Sequence, residues 1–124
     1  MQNNESAENY LETILVLSKK LRVVRSVDIA NELGYKKSSI SIAMKHLREK
    51  NHITVSPEGF IDLTESGLAI AEMIFERHEI LTSVLTALGV PSEIASEDAC
   101  RIEHVISQES FDAIKEHVTK YRTN

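Results

Sequence analysis

The chain has 124 residues, of which 42% are hydrophobic and 27% charged, a composition typical of globular proteins that argues against wholesale disorder. Its single cysteine, Cys100, excludes an internal disulfide and a metal cage built only from cysteines of one chain. The net charge of −5 is unevenly divided: residues 1–55 hold nine Lys and Arg against six Asp and Glu, and residues 56–124 hold five against thirteen. Unless this division is chance, it predicts that the front half meets a polyanion and the back half holds a cation.

The location of the protein follows from two missing features. No apolar run in the sequence approaches the roughly 18 residues that span a bilayer. The opening residues, MQNNES, also lack the basic patch and apolar stretch of a secretory signal. We therefore expect a cytoplasmic protein.

The chain begins with two segments of helical pattern. Apolar residues recur at helical spacing from 7 to 21, and Ser6 is the expected N-cap of this first helix. A shorter helix fits residues 27–33, with Ser26 as its N-cap and Gly34 as its stop signal.

A third helix and a hairpin follow. The third helix covers SSISIAMKHLREK, where Ser38 or Ser39 is the expected cap. In ITVSPEGFIDLT, two short β-prone runs flank residues 56–59, which read as a turn. This order of elements is typical of a winged helix-turn-helix, a fold that usually binds DNA and in a minority of cases binds proteins.

The back half is predicted to be entirely helical. Thr64 is a suitable cap for a long helix over 65–88, and two further helices fit 92–107 and 109–121. The long helix is apolar on two faces, which predicts that it packs against a second copy of the chain as well as its own. The alternative is that one chain covers both faces. One face carries Ile74, Phe75, Leu81 and Leu85, and the other carries Met73, Ile80 and Val84.

The third helix has a pattern suited to reading DNA. Its apolar stripe should face the core, so the opposite arc is free for hydroxyls to contact base edges and for amines to contact phosphates. We define this predicted DNA-reading face as Lys36, Lys37, Ser38, Ser39, Ser41, Ile42 and Lys45. Ile42 is either a contact to a thymine methyl or a tolerated surface residue.

A possible metal site lies in the acidic half. Cys100, Glu103 and His104 stand at i, i+3 and i+4, so on a helix a thiolate, a carboxylate and an imidazole would converge. This donor set suits a transition metal rather than calcium or magnesium. His78 lies on the apolar stripe of the long helix and needs a partner. The alternative is a hydrogen-bonded core histidine, an inert thiol and a solvated glutamate.

The first helix offers further oxygen donors. Asn9 and Glu12 stand at i and i+3, on the side turned away from its apolar face. They are therefore available to coordinate a metal together with residues of the acidic half.

Five segments resemble, in order, the iron- and manganese-dependent repressors of the diphtheria toxin repressor family. They are AENYLETI, SVDIANELGYKKSSISIAMKHL, IDLTESG, RHEIL and EDACRIEHVIS. The resemblance implies a mainly α fold with an N-terminal winged helix-turn-helix over 1–70 and a helical dimerisation and metal-binding domain over 71–124. It also implies metal-activated repression by a homodimer at a palindromic operator.

The resemblance also implies a ligand set. His78, Glu103 and His104 match metal ligands of both branches, and Glu12 matches a ligand of the manganese branch. Cys100 stands where iron-type members have cysteine and manganese-type members have glutamate, whereas Asn9 matches neither branch. At the ancillary metal site of the iron branch, Thr82 and Ser96 replace a glutamate and a histidine. We therefore expect one principal metal or a modified pair.

The softness of Cys100 favours iron(II), with manganese(II) as the alternative ion. A metal-independent winged-helix regulator is the nearest rival function. A thiol redox sensor and a protein-binding winged helix are further alternatives, although neighbouring acids disfavour a reactive thiol. We do not expect an enzyme, because the sequence contains no nucleophile–base pair, phosphate loop or HExxH pattern.

Overall fold

A computed structural model describes residues 5–122, and within them it confirms the mainly helical winged helix-turn-helix architecture. The elements in chain order are α1 (Glu5–Lys20), α2 (Ser26–Leu33), α3 (Lys37–Glu49), β1 (Ile53–Val55), β2 (Ile61–Leu63), α4 (Glu65–Ala87), α5 (Ser92–Ile102) and α6 (Gln108–Arg122). The chain forms two compact units, the first ending at Met73 and the second beginning at Ile74, inside α4. Residues 1–4, on which most of the predicted absence of a secretory signal rests, and residues 123–124 lie outside the described part.

The core of the first unit is built from the predicted apolar stripes. Leu11 and Ile14 of α1 are buried, and so is Ile29 of α2. Ile40 and Met44, on the inner side of α3, are also buried. Since these residues recur at helical spacing, each helix turns one apolar side inwards and leaves the other to solvent.

Gly34 ends α2 as predicted. Its φ of 70° lies in the left-handed region, and its N–H donates to the carbonyl of Ala30 at 2.8 Å. A glycine adopts this backbone without the steric cost that a Cβ adds. The connection between α2 and α3 is therefore short and sharply turned, as a helix-turn-helix requires.

The predicted caps of the first three helices are wrong. Ser6 lies inside α1, and Ser26 is the first residue of α2 rather than its cap. The cap position belongs to Arg25, whose N–H donates to the Asp28 carboxylate at 2.9 Å. An acidic side chain at the third helical position thus satisfies the N–H of the cap residue itself.

In α3 the cap position belongs to Lys36, so both Ser38 and Ser39 lie within the first turn. No side-chain cap bond forms at Lys36. The two serine hydroxyls are thereby left on the exposed start of the helix.

The hairpin forms the predicted wing. β1 and β2 are antiparallel, with Thr54 opposite Asp62. Thr64 caps α4 as expected, since its Oγ1 accepts from the Gly67 N–H at 3.2 Å. At Gly67 the helix approaches the backbone carbonyl of His52 so closely that a Cβ would collide with it. The wing is therefore fixed against the start of α4.

In the second unit, the sequence pattern predicted that α5 would end at residue 107, but the helix ends at Ile102. Glu103 keeps helical angles as the C-cap, and its N–H donates to the carbonyl of Ala99 at 2.9 Å. The N–H groups of Val105 and Ile106 both turn back to the carbonyl of Ile102. We call residues 103–107, between α5 and α6, the ligand turn.

The second unit has its own apolar core, which is built from residues of α4, α5 and α6. Its buried members are Ile74, Leu81, Ala95, Ala99 and Phe111. None of the described helices has the length and apolarity needed to cross a membrane.

Candidate metal centre and nucleic-acid interface

The DNA-reading face is exposed over its whole predicted extent. All seven of its residues are exposed, whereas Ile40, Met44 and Leu47 on the opposite side of α3 are buried. Ile42 is the most unusual member, because 60% of this large apolar side chain is open to solvent. The face offers three hydroxyls, three ammonium groups and one branched apolar side chain to a partner.

A cavity lies at the start of this face. It has a volume of about 510 Å³ and is lined by Asn9, Tyr10, Tyr35, Lys36 and Ser39, among others. The rings of Tyr10 and Tyr35 meet edge to face with centroids 6.4 Å apart. Partial burial, and secondarily the neighbouring Tyr35, raises the pKa of the Tyr10 phenol. The ring contact therefore connects α1 with the turn before α3.

The acidic half contains a buried carboxylate held between two histidines. The Glu103 side chain has no exposure to solvent. Its Oε2 lies 3.0 Å from Nδ1 of His78, and its Oε1 lies 3.4 Å from Nε2 of His104. His78 comes from α4, while Glu103 and His104 come from the ligand turn.

Cys100 completes a three-residue group of possible metal ligands. One ligand atom from each of Cys100, Glu103 and His104 lies within 4.8 Å of the others. Cys100 is in the last turn of α5 and is more exposed than the buried Glu103. The predicted convergence survives the early end of α5 because the Glu103 backbone keeps helical angles.

The donor set fits a divalent transition metal. Oε1 of Glu103 is buried and has no hydrogen-bond partner, which is costly for a carboxylate oxygen. A cation at this point would satisfy that oxygen, and sulfur, imidazole nitrogen and carboxylate oxygen are the donors that first-row metals accept. The residues present therefore fit the metal that the sequence implies.

Hydroxyls stand at the two positions where the resemblance implies an ancillary metal site, Ser96 and Thr82. Ser96 Oγ lies 3.4 Å from Nε2 of His78, and Thr82 Oγ1 is buried without a hydrogen-bond partner. Neutral hydroxyls are weaker ligands than the groups they replace. In the second unit, the residues around Glu103 are accordingly stronger metal ligands than Ser96 and Thr82.

Asn9 and Glu12 belong to the first unit. Both lie on α1 and are half-buried, one helical turn apart. Their assignment as ligands rests on the sequence.

One residue that contacts the backbone of this site was not singled out from the sequence. Arg77 immediately precedes His78 on α4 and is only 7% exposed. Its guanidinium donates to the backbone carbonyl of Glu103 at 3.0 Å. The available signal was an arginine on a helix side that otherwise reads as apolar, directly beside a candidate ligand.

Comparison with known proteins agrees with both halves of this arrangement. Residues 4–59 match the family described as the iron dependent repressor, N-terminal DNA binding domain. Residues 64–124 match the iron dependent repressor, metal binding and dimerisation domain.

Similar proteins include two curated relatives and one solved structure. An uncharacterized HTH-type transcriptional regulator of Methanocaldococcus jannaschii is 31% identical over 96% of this chain and 97% of its own length. The transcriptional regulator MntR of Escherichia coli O6:H1 is 33% identical over 94% of this chain and 76% of its own. The crystal structure of T. acidophilum IdeR aligns with a TM-score of 0.74 at 28% identity, covering 90% of this chain and 53% of that one.

The chain therefore belongs to the iron-dependent repressor family of metal-dependent transcriptional regulators. This confirms the resemblance found in the sequence. The first unit corresponds to the DNA-binding domain of this family. The second unit corresponds to its metal-binding and dimerisation domain.

Proposed function

We propose that this chain is a metal-activated transcriptional repressor that binds a palindromic operator as a homodimer in the cytoplasm. The observation that carries the proposal is the buried Glu103 carboxylate, which faces His78 and His104 and retains one oxygen without a hydrogen bond. A carboxylate in such a place is stabilised when a cation pairs with it.

We assign the metal centre to Cys100, Glu103, His104 and His78, with iron(II) as the favoured ion. The bound ion would supply positive charge against the thiolate and the carboxylate. Cys100 supports iron(II) over manganese(II), because a thiolate is a softer ligand than the oxygens that manganese prefers. Manganese(II) is the alternative ion, and cellular availability selects between them.

We add Glu12 to the ligand set, and Asn9 as a weaker amide donor, from their match to family ligand positions. A metal ion favours whichever conformation holds its ligands together, in proportion to its differential affinity for the two states. Metal binding would thus select the form of the protein that recognises its operator.

The DNA-reading face supports binding in the major groove. Hydroxyls at Ser38, Ser39 and Ser41 suit base edges, while Lys36 and Lys45 suit phosphates. In a two-fold dimer the two copies of α3 would enter successive major grooves, about 34 Å apart.

Dimerisation through the second unit is supported by its exposed apolar residues. Leu88 is 75% exposed and Val105 is 74% exposed, and Ile94 is half exposed. Large apolar side chains at this level of exposure are typical of surfaces that a partner covers.

The test is an oxygen-free binding experiment on the full chain. Palindromic sites are first selected from a random duplex pool with iron(II) present, and the selected duplex is then titrated with iron(II), manganese(II) or a chelator. The proposal expects tight binding with metal, iron(II) acting at lower concentration than manganese(II), and little binding with chelator. Chelator-insensitive binding would establish a metal-independent winged-helix regulator instead.

A further inference from the structure

One buried arginine, Arg77, donates hydrogen bonds to the backbone of the ligand turn. Nη1 of Arg77 donates to the carbonyls of Glu103 and Ile106, both at 3.0 Å. Nη2 donates to the side-chain oxygen of Gln108, at the start of α6, also at 3.0 Å. The guanidinium carbon lies 5.4 Å from the centroid of the Phe111 ring. One side chain thus contacts both ends of the ligand turn and the first turns of the next helix.

These contacts answer a local need of the backbone. The last carbonyls of a helix have no partner within the helix, and the carbonyls of a tight turn also need donors when they are buried. A guanidinium has several donors fixed in one plane, so it can satisfy acceptors from different parts of the turn at once. The Nε atom of Arg77 is itself buried without a partner. The arginine therefore serves the turn at some cost to its own solvation.

Neighbouring residues of α4 contact the two chemically different parts of Glu103. Arg77 binds the backbone carbonyl and His78 faces the carboxylate. The main chain of Glu103 is therefore fixed independently of its side chain. This fixes the direction in which the Glu103 carboxylate points before any cation arrives.

We infer that Arg77 is a positioning residue for the metal centre, which orders the ligand turn so that Glu103 and His104 face Cys100. This inference rests on the proposed metal function of the same site. It assigns to Arg77 no contact with the metal. Its effect on binding is preorganisation: the turn is ordered during folding, so binding does not have to order it.

Arginine and lysine at position 77 are expected to differ in how well they order the ligand turn. A lysine at position 77 keeps the positive charge but offers a single point donor in place of the planar fork. If charge alone mattered, Arg77→Lys would bind metal like the wild type. If the fork orders the turn, Arg77→Lys and Arg77→Met are both impaired, and Arg77→Met the more so.

The experiment uses the full chain and cobalt(II), whose absorption spectrum reports its ligands. Wild type is compared with Arg77→Lys, Arg77→Met and Gln108→Ala, the last removing only one acceptor of the guanidinium. The matched control is Lys115→Met, which removes another cation of the same unit, one that pairs with Glu76 at 3.1 Å on the exposed side. Amide hydrogen exchange of the metal-free proteins measures the order of the ligand turn separately.

We expect Arg77→Met to raise the cobalt(II) Kd by about 10- to 100-fold, the usual effect of losing a residue that orients ligands. Arg77→Lys should weaken binding by a smaller factor and shift the cobalt(II) spectrum, and Gln108→Ala should change the Kd about twofold to threefold. Lys115→Met should match the wild type. In the metal-free proteins the amides of Val105 and Ile106 should exchange faster when Arg77 is replaced, while amides within α5 keep their protection.

Two negative results are distinguishable. If wild type binds cobalt(II) and both folded Arg77 variants bind it within twofold with an unchanged spectrum, Arg77 does not position the ligands and the inference is overturned. If wild type binds no cobalt(II), the proposed metal function is wrong and this inference falls with it. Should Arg77→Met fail to fold, Arg77→Lys alone decides by the same criteria.

Discussion

His78 Nδ1 lies 3.0 Å from Oε2 of Glu103, which joins the middle of α4 to the turn after α5. The second oxygen of the same carboxylate is buried without a hydrogen bond. A fully desolvated carboxylate with one unsatisfied oxygen costs stability, so its retention points to a use. In the proposed function that use is to bind a divalent cation.

Removing the charge of Glu103 should abolish stabilisation by metal. At a free ion concentration of about 100 times Kd, binding adds about 2.7 kcal/mol to the free energy of unfolding. We expect this increment for wild type with cobalt(II), its loss with a chelator, and none for Glu103→Gln. Chemical denaturation with and without cobalt(II) measures it.

The control for this prediction is Glu97→Gln, which neutralises an exposed acid on α5. It should retain the full metal-induced increment. A metal-induced increment in Glu103→Gln equal to that of wild type would show that the ion binds elsewhere.

Replacing Cys100 should weaken activation. Cys100→Ala removes a soft donor from the group formed with Glu103 and His104, and we expect metal-dependent operator affinity to fall by about tenfold or more. The measurement is fluorescence anisotropy of an operator duplex with iron(II) under oxygen-free conditions. An unchanged affinity would remove Cys100 from the site.

The variant Cys100→Glu tests the metal preference separately. It replaces a thiolate with the harder carboxylate donor, which suits manganese(II). The ratio of iron(II) to manganese(II) needed for half-maximal operator binding should therefore shift towards manganese(II). If that ratio stays as in wild type, Cys100 does not set the preference.

The DNA-reading face contains two residues expected to act differently. Lys45→Ala should weaken binding to all duplexes and lower the slope of log affinity against log salt by about 1, since one phosphate contact is lost. Ile42→Ala should instead change the preference among operator sequences and leave the salt slope unaltered, if Ile42 contacts a thymine methyl. Titrations at several salt concentrations with matched and scrambled operators separate the two effects.

Lys20→Ala provides the control for these titrations. Lys20 is an exposed lysine at the end of α1, outside the DNA-reading face. The Lys20→Ala variant should have the same salt slope and the same sequence preference as the wild type. Equal losses for Lys20→Ala and Lys45→Ala would indicate a general charge effect rather than a defined face.

Two glycines of the first unit should respond unequally to alanine. At Gly67 an added Cβ collides with the His52 carbonyl, a backbone atom that cannot rotate away, so Gly67→Ala should cost about 3 kcal/mol or more. At Gly34 the space is open and only the left-handed backbone is strained, so Gly34→Ala should cost about 1 to 2 kcal/mol. Urea denaturation of both variants checks the order, which a smaller loss for Gly67→Ala would contradict.

The helix order, the wing and the buried stripe of α3 could be predicted from sequence because they depend on local periodicity. Thr64 was identified correctly as a cap for the same reason. The Ser26 cap was wrong because a competing donor–acceptor pair, Arg25 with Asp28, lies one residue earlier. Propensity ranks residues singly and does not resolve such competition.

Neither the end of α5 nor the role of Arg77 could be predicted from the sequence. The reason is the same for both, because each depends on contacts between elements that are distant in sequence. The helix ends at Ile102 where a side chain from α4, distant in sequence, supplies donors to the turn carbonyls. A helical pattern carries no information about donors that arrive from another element. The ligand atoms of Cys100, Glu103 and His104 nevertheless lie close together, since the Glu103 backbone retains helical geometry past the end of the helix.

The most direct test of metal activation is the operator titration of the full chain, run without oxygen with iron(II) and with a chelator in parallel. Metal activation through the Glu103 centre predicts that the chelator removes operator binding and that iron(II) restores it for wild type but not for Glu103→Gln. Operator affinity that is the same with iron(II) and with chelator would contradict it.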